Sequence, residues 1–425
     1  MKKYYLKNME RIIAHSDCNC FYASVEMLRN PRLRDIPFAV CGSVEDRHGI
    51  VLTANYPAKT RGIKTGMAIW QARELIPKLH VVTPHMGDYK QFSDFTRDLY
   101  AKYTDRIEPF GLDECWLDLT GCVATFAEGV TAVHEIRERI KRELGITVSI
   151  GLSDNKVFAK LGSDMKKPDA VTAIPRSDYR EIVWPLPVGD LLYVGRATQV
   201  KLFARNVKTI GALAKTDPYL LKSWFGKNGL VLHAFANGED LAPVALSGDT
   251  QPVQSVSNSH TAPRDLKTDD DVKIVIYALA ESVGARLMEQ GFLAQTIAFS
   301  YIDSNMEKRG NHQCRAQVPT CILGEIADHA FRLFKTHYGD WKKPLRGIGV
   351  CGSNLIDINT PRQTTMFETA IKSQKKEDLE RAVNELRRRY GNKIIQRAVM
   401  YTMPDLARVD ARRDHTNTFG SSAGR

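Results

Sequence analysis

Two neighbouring carboxylates, Asp113 and Glu114, sit in the stretch PFGLDECWLDLTG, residues 109–121, among mostly apolar residues. Side by side they repel, and a dry setting makes it costly to keep both ionised. A third carboxylate, Asp17, ends the apolar run RIIAHSD, where its side chain can leave the core for a cleft. Three converging carboxylates with no Cys/His cluster nearby suit a hard divalent cation such as magnesium, which prefers oxygen ligands. Two such ions, about 3.5–4 Å apart, can clamp the attacking and leaving oxygens of a phosphoryl displacement. Spacing alone leaves a second reading open, in which the three acids are unrelated surface or structural groups.

Adjacent residues of a regular strand point to opposite faces, so Asp113 and Glu114 reach one site only where a turn or bulge interrupts the ladder. Pro109 and Gly111, just upstream, supply such an interruption. RIIAHSDCNCFYASVEML predicts a strand passing into a helix that carries Phe21, Val25 and Leu28. FAVCG and GIVLTANY read as short strands joined by the polar turn SVEDRH, and MAIWQARELIP as a helix ended by Pro77. A helix near 130–144 has Val133, Ile136, Ile140 and Leu144 on one face, and ITVSIGLS is a strand followed by the helix KVFAKLGSDMKKP. From about 176 the pattern changes to short helices, and LAPVALSGDTQPVQS, 241–255, reads as a linker. The unit beyond it is α+β. Val272, Val275, Ile276, Leu279, Val283 and Leu287 mark one helix face, while Ile297, Phe299 and Tyr301 alternate as on a strand and RGIGVCGSNLI offers another. A charged helix around 376–390 is expected to turn Leu379, Val383 and Leu386 inward. The last stretch, DARRDHTNTFGSSAGR, has too little apolar content to fold alone.

A chain of 425 residues exceeds one ordinary core, so about two to four domains are expected. Its 43% hydrophobic and 26% charged residues are those of a soluble globular protein. A formal charge of +11 and a pI near 9.1 favour a polyanionic partner, with nucleic acid ahead of a membrane surface. No apolar segment is long enough to span a bilayer or to act as a signal peptide, and no membrane partner is expected. The eight cysteines are scattered without a CxxC pair, which argues against a disulfide framework or a zinc knuckle. Cys18 and Cys20 read as reduced, buried thiols, and a cytoplasmic location is expected.

HSDCNCFYASVE, TANYPAKTRGIKTGM, GLDECWLDLTG and GLSDNKVFAKLGSDMKKPD follow one another as the motifs of Y-family, translesion DNA polymerases do, and the resemblance runs from about residue 11 to 403. It lies nearest the bacterial polymerase IV branch, with some features of the polymerase V catalytic subunit. The resemblance implies an α+β multidomain right hand, with a catalytic palm at 1–25 and 78–175 and small fingers at 26–77. A helical thumb with a helix–hairpin–helix would span 176–240, an α+β little finger 256–360, and a C-terminal extension 361–425. It also implies that Asp17, Asp113 and Glu114, with the backbone carbonyl of Cys18, hold two Mg2+ ions. Phe21 and Tyr22 would lie beneath the sugar of an incoming deoxynucleoside triphosphate, with Tyr22 the steric gate that excludes a 2′-hydroxyl. Thr53, Tyr56, Lys59 and Lys167 would hold the triphosphate. Lys160 and Lys166 read as solvated surface residues.

Three residues depart from the family pattern near the site. Gly111 replaces a serine, Asn19 stands where polymerase IV relatives often have a second aspartate, and Lys59 replaces an arginine common in archaeal members. YVGRATQVKLFARNVKTIGALA resembles the thumb hairpin, whose backbone N–H groups hold a phosphate of primer–template DNA. Gly195 is retained there, but Tyr193 takes the place of the usual first glycine, so an altered turn is expected. Arg264, in SVSNSHTAPRDLKTDDDV, is expected to grip the duplex backbone in a salt-dependent way. PRQTTMFET, 361–369, resembles a bacterial sliding-clamp peptide in which Gln363 bonds at the groove mouth while Met366 and Phe367 fill the pocket.

By resemblance the chain is a monomeric, template-directed DNA polymerase of low fidelity and without proofreading, suited to damaged templates. Two other classes stand beside it. One is a catalytically weak DNA- and clamp-binding accessory protein, for which Gly111 and Tyr193 speak; the other is a nucleotidyl cyclase on a palm-like fold.

Overall fold

The computed structural model describes residues 11–42, 49–249, 252–339, 343–361, 370–391 and 394–407. These residues form two compact units, the first ending at 249 and the second starting at 252. The polar turn at 43–48 and the tail from 408 lie outside the described residues, as do Gln363, Met366 and Phe367 of the clamp-like peptide. No described helix is long and apolar enough to cross a membrane.

The first unit is built on strands β1 (Ile13–Cys18), β2 (Phe38–Cys41), β3 (Val51–Ala54), β4 (His80–Val82), β5 (Ile107–Pro109), β6 (Glu114–Asp118), β7 (Val148–Ser153) and β8 (Val171–Ile174). Five of them form a sheet in the order β5-β6-β1-β7-β8, with β1 antiparallel to both neighbours and β7 parallel to β8. A smaller sheet, β3-β2-β4, has its own apolar core around Val51, Ile63, Ile69 and Leu79.

Period-two alternation on β1 decides what each face of the large sheet does. Ala14 and Cys18 join the core under the helices Phe21–Arg29, Met86–Tyr100 and Phe126–Leu144, and Ser16 on that face accepts from the Tyr100 hydroxyl at 2.7 Å. Ile13, His15 and Asp17 face the helix Lys156–Met165 instead. That helix starts where Asn155 accepts from the Phe158 amide, and it lies close to the sheet because Gly151 and Gly162 meet there. A Cβ on Gly151 would stand 2.0 Å from the Ala159 carbonyl oxygen, so any side chain there would displace the helix. Five short helices, Tyr179–Val183, Arg196–Phe203, Ile210–Lys215, Pro218–Phe225 and Lys227–Ala236, share a core of Val183, Leu202, Ile210, Leu213 and Leu221.

The expected linker at 241–255 is not a free tether over its first half. Val244 is fully buried against Ile13, Trp116 and Ala159, and the Ala245 amide donates to Glu108 at 3.0 Å. Its Pro- and Gly-rich composition signalled the lack of helix but not this docking.

The second unit is a four-stranded antiparallel sheet in the order β11-β10-β12-β9, from β9 (Ser255–Leu266), β10 (Phe292–Asp303), β11 (Arg309–Thr320) and β12 (Leu345–Asp357). The helices Asp269–Glu289 and Leu323–Tyr338 pack on it, with Val272, Val275, Ile276, Leu279, Val283 and Leu287 all fully buried. The helix Ala370–Tyr390 corrects an expectation: Leu379 and Leu386 are 64% and 40% exposed, Val383 is half-buried, and among the described side chains the buried ones are Glu377 and Arg387. Arg387 pairs with Glu281 at 3.0 Å and donates to the Ile395 carbonyl oxygen, so charge pairing, not the leucines, sets which side turns inward.

Candidate active site

Asp17 and Glu114 are register partners across β1 and β6, and alternation points both toward the helix Lys156–Met165. Asp113 reaches the same end of the sheet by another route. β6 begins only at Glu114, so Asp113 lies in the preceding turn, outside the ladder that would have sent it to the opposite face. Gly111 makes that turn with a φ of +94°, a conformation that favours glycine. The Arg97 guanidinium holds the turn by donating to the Gly111 carbonyl oxygen at 3.1 Å, and the Ser93 hydroxyl donates to that of Leu112. Thus Gly111, a departure from the family pattern, fits the backbone it occupies. The Cys18 amide donates to the Asp113 carbonyl oxygen at 2.9 Å, tying the turn to the end of β1.

Charge at this end is unevenly balanced. Burial, with Asp17 and Glu114 nearby, pushes the Asp113 carboxyl up to about 7. Asp17 is raised too, by burial first, with Glu114 adding to the rise and Lys160 and Lys167 opposing it. Glu114 goes the other way: burial disfavours its charge, but contact with His15 and Lys160 takes it down to about 2.

Lys160 corrects the sequence reading. It is not a solvated surface residue: its side chain is 12% exposed, and its ammonium lies 2.9 Å from Glu114, 3.4 Å from Asp17 and 3.0 Å from Asp164. Burial works against its charge, yet those three carboxylates raise it above the ordinary lysine value. Lys167 donates to Asp17 and Asp164, each at 2.8 Å, and Lys166 is exposed. His15, fully buried, sets Nε2 3.3 Å from Glu114 and Nδ1 2.9 Å from the Ser163 hydroxyl, and burial lowers its basicity. The signal for His15 was the alternation that puts it on the face of Asp17. For Lys160 it was the four-residue spacing to Asp164 on one helix face.

Among the described residues, no three His, Cys, Asp or Glu side chains are arranged to hold a metal ion as they stand. Lysine ammoniums lie against Asp17 and Glu114 instead. The donor set still fits a hard divalent cation, because all three side chains offer oxygen and burial beside two other carboxylates pushes Asp113 up to about 7.

Phe21 and Tyr22 open the helix that follows β1, after Cys20 turns the chain with a φ of +46°. Phe21 is buried and Tyr22 half-buried, and Asp113 adds to the burial that raises the Tyr22 phenol. Tyr56 starts the helix Tyr56–Lys59, capped by Asn55. Burial raises its phenol, with Cys20 and Asp17 contributing, and its ring packs against the core that holds Cys18, Cys20 and Phe21. Lys59 is exposed, with its ammonium 5.5 Å over the Tyr56 ring, and Thr53 is buried on β3. Asn19 donates to the Ser149 hydroxyl at 3.0 Å and accepts from the Asp169 amide at 2.8 Å. An aspartate there could not donate the first of these bonds and would accept from the serine hydroxyl instead.

Away from the carboxylates, Tyr193 places a bulky side chain at a left-handed position of the thumb turn, which L residues rarely adopt. Tyr193 takes a φ of +69°, as a glycine would, and its ring stacks on Phe235 at 5.9 Å. Gly195 caps the helix Arg196–Phe203, with open space where a Cβ would be. Arg264 is committed inside the second unit: its guanidinium donates to Asp271 at 2.7 Å and to Asp405 at 3.2 Å. These pairs brace the unit, and the Arg264 side chain remains 43% exposed.

Residues 16–164 match the impB/mucB/samB family and residues 253–366 match its C-terminal domain. The chain is 47% identical to the DNA polymerase IV of Acetivibrio thermocellus, over 94% of this chain and 100% of the relative. It is 35% identical to DNA polymerase IV 1 of Bacillus subtilis, over 91% and 92%. A solved Y-family DNA polymerase chimera, Dbh-Dpo4(243-245)-Dbh, shares the fold with a TM-score of 0.72 at 23% identity, over 81% of this chain and 99% of that one. With its carboxylates gathered on one sheet end and relatives of this kind matching nearly its whole length, the chain belongs to the Y-family DNA polymerases.

Proposed function

We propose that the chain extends a primer on a DNA template, including damaged template, and that Asp17, Asp113 and Glu114 with the Cys18 carbonyl are its catalytic centre. The observation that supports this most is the pairing of Asp17 with Glu114 across β1 and β6 while Asp113 approaches from a turn outside the ladder. The primer 3′-hydroxyl gives its proton to solvent water and its oxygen attacks the α-phosphorus of a deoxynucleoside triphosphate; the bond to the α,β-bridging oxygen breaks and pyrophosphate leaves. Two magnesium ions, when bound by these carboxylates, would neutralise the charge that develops on the attacking and leaving oxygens. Lys160 helps hold Glu114 ionised and opposes the rise of Asp17, and Lys167, Lys59, Tyr56 and Thr53 meet the triphosphate. Tyr22 lies under the sugar as the steric gate, with Phe21 packed beside it. Gly195 and the thumb turn hold a DNA phosphate. The weak accessory alternative is not favoured: Gly111 fits the turn it makes, and the matched relatives are DNA polymerases IV.

Primer extension tests the assignment. Replacing Asp113 by Ala is expected to lower extension on the order of a thousandfold while leaving DNA binding in place. Intact protein that extends nothing with magnesium present would sink the assignment.

We further propose a cytoplasmic monomer that docks on a bacterial sliding clamp through Gln363, Met366 and Phe367. The support is the peptide's likeness in sequence. Replacing Met366 and Phe367 together by Ala should abolish clamp binding in a pull-down; full retention would place the contact elsewhere.

A further inference from the structure

Tyr22 and Glu26 lie four residues apart on the helix Phe21–Arg29 and share a face. Tyr89, from the helix Met86–Tyr100, touches both. Its ring lies parallel to that of Tyr22, with centroids 4.4 Å apart and planes 14° from each other. Its hydroxyl donates to Glu26 Oε1 at 2.5 Å. Tyr89 is fully buried and Glu26 is 2% exposed. His85 Nδ1 lies 2.9 Å from the same carboxylate oxygen, and Arg29 Nε lies 3.8 Å from the other.

Glu26 Oε1 accepts here, which fixes the Tyr89 hydroxyl as donor and with it the orientation of the ring. Burial, helped by that hydrogen bond, raises the Tyr89 phenol, which keeps the donated proton in place. The flat face of Tyr89 is therefore a rigid bed for the half-buried ring of Tyr22. Phe21, tilted 49° at 5.7 Å, offers no such face.

We propose that Tyr89, anchored by Glu26, is a positioning residue for sugar selection: it acts through Tyr22 and touches no nucleotide. The inference rests on the reading of Tyr22 as the steric gate. Discrimination against a 2′-hydroxyl depends on the fraction of time the gate ring stands in the blocking rotamer. Without the stack, open rotamers gain population, and ribonucleotides enter through them. Offset-stacked aromatic pairs bias such an equilibrium by roughly 3- to 10-fold.

The measurement is the ratio of kcat/KM for deoxy- to ribonucleotide in single-nucleotide primer extension. Tyr89→Leu should lower that ratio by roughly 3- to 10-fold, chiefly by raising the ribonucleotide value. Tyr89→Phe keeps the stack and should keep most of the ratio. In a Tyr22→Ala background, Tyr89→Leu should change the ratio no further. If Tyr89→Leu depresses both substrates together at an unchanged ratio, Tyr89 is merely structural and the proposal falls. If Tyr22→Ala itself leaves the ratio unchanged, the gate reading fails first, and the two failures are told apart. Should Tyr89→Leu not fold, Tyr89→Met fills similar volume without a flat face and is read in the same way.

Discussion

Both units bury acidic groups beside cations, and they do so to opposite effect. In the second unit, Asp271 is 3% exposed, yet every demand it makes is met close by. It accepts from the Arg264 guanidinium and from the amides of Lys267 and Thr268, while Thr268 accepts from its own amide in a reciprocal cap on the helix Asp269–Glu289. Burial works against its charge, but those partners prevail and its carboxyl is held below the usual range. At the end of β1 in the first unit, three carboxylates crowd together, and Asp17 and Asp113 are both pushed up. Buried charge whose partners are complete holds a fold together. Buried charge left in excess waits for something that the fold does not supply, which is the mark of a working site.

The largest break in that comparison should come from exchanging the two cations. Lys160→Ala removes the ammonium shared by Asp17, Glu114 and Asp164 and should lower primer extension on the order of a hundredfold. Arg264→Ala removes the brace on Asp271 and Asp405 and should leave extension and its salt dependence near the parent values, at a cost in stability of about 1–2 kcal/mol. Steady-state extension at several salt concentrations separates these outcomes. A strong loss of DNA affinity in the Arg264 variant would return that residue to the DNA-binding surface.

The acidic centre was legible in the sequence because its signals are local. Asp17 at the end of an apolar run and the Asp113–Glu114 pair after Pro109 and Gly111 can be read within a dozen residues each. The partners were not, because each joins the site through tertiary geometry. Lys160 looks like any helix-surface lysine until Gly151 and Gly162 bring its helix against the sheet. Tyr89 lies 63 residues from Glu26, and nothing along the chain announces the stack on Tyr22. The helix Ala370–Tyr390 misled in the opposite sense. A leucine row at helical spacing carries a sensible expectation. In the folded unit, however, Glu377 and Arg387 take the inward side that the leucines were expected to occupy.

The smaller effect, and the sharper contrast, is one of sign. Asp113 titrates near 7 in the folded chain against the usual 3.8. Between those values the native state holds a proton that the unfolded chain has released, so stability falls as pH rises through that window, and the full penalty stands above pH 7. A neutral amide escapes it: Asp113→Asn should stabilise the chelator-treated protein at pH 8 by about 1–3 kcal/mol, the lower part of what a shift of this size implies once partial hydration is allowed for. The gain should shrink as the pH is lowered toward 5. Asp271 behaves oppositely. Its lowered carboxyl contributes stability above the ordinary carboxylate range and loses it only as pH falls through the folded value, so Asp271→Asn should cost about 1 kcal/mol at pH 8 and at pH 6 alike. Thermal melts of both variants in chelator at two pH values read the signs directly. If Asp113→Asn destabilises as Asp271→Asn does, the sheet end carries no excess charge, and the contrast between the two units disappears with it.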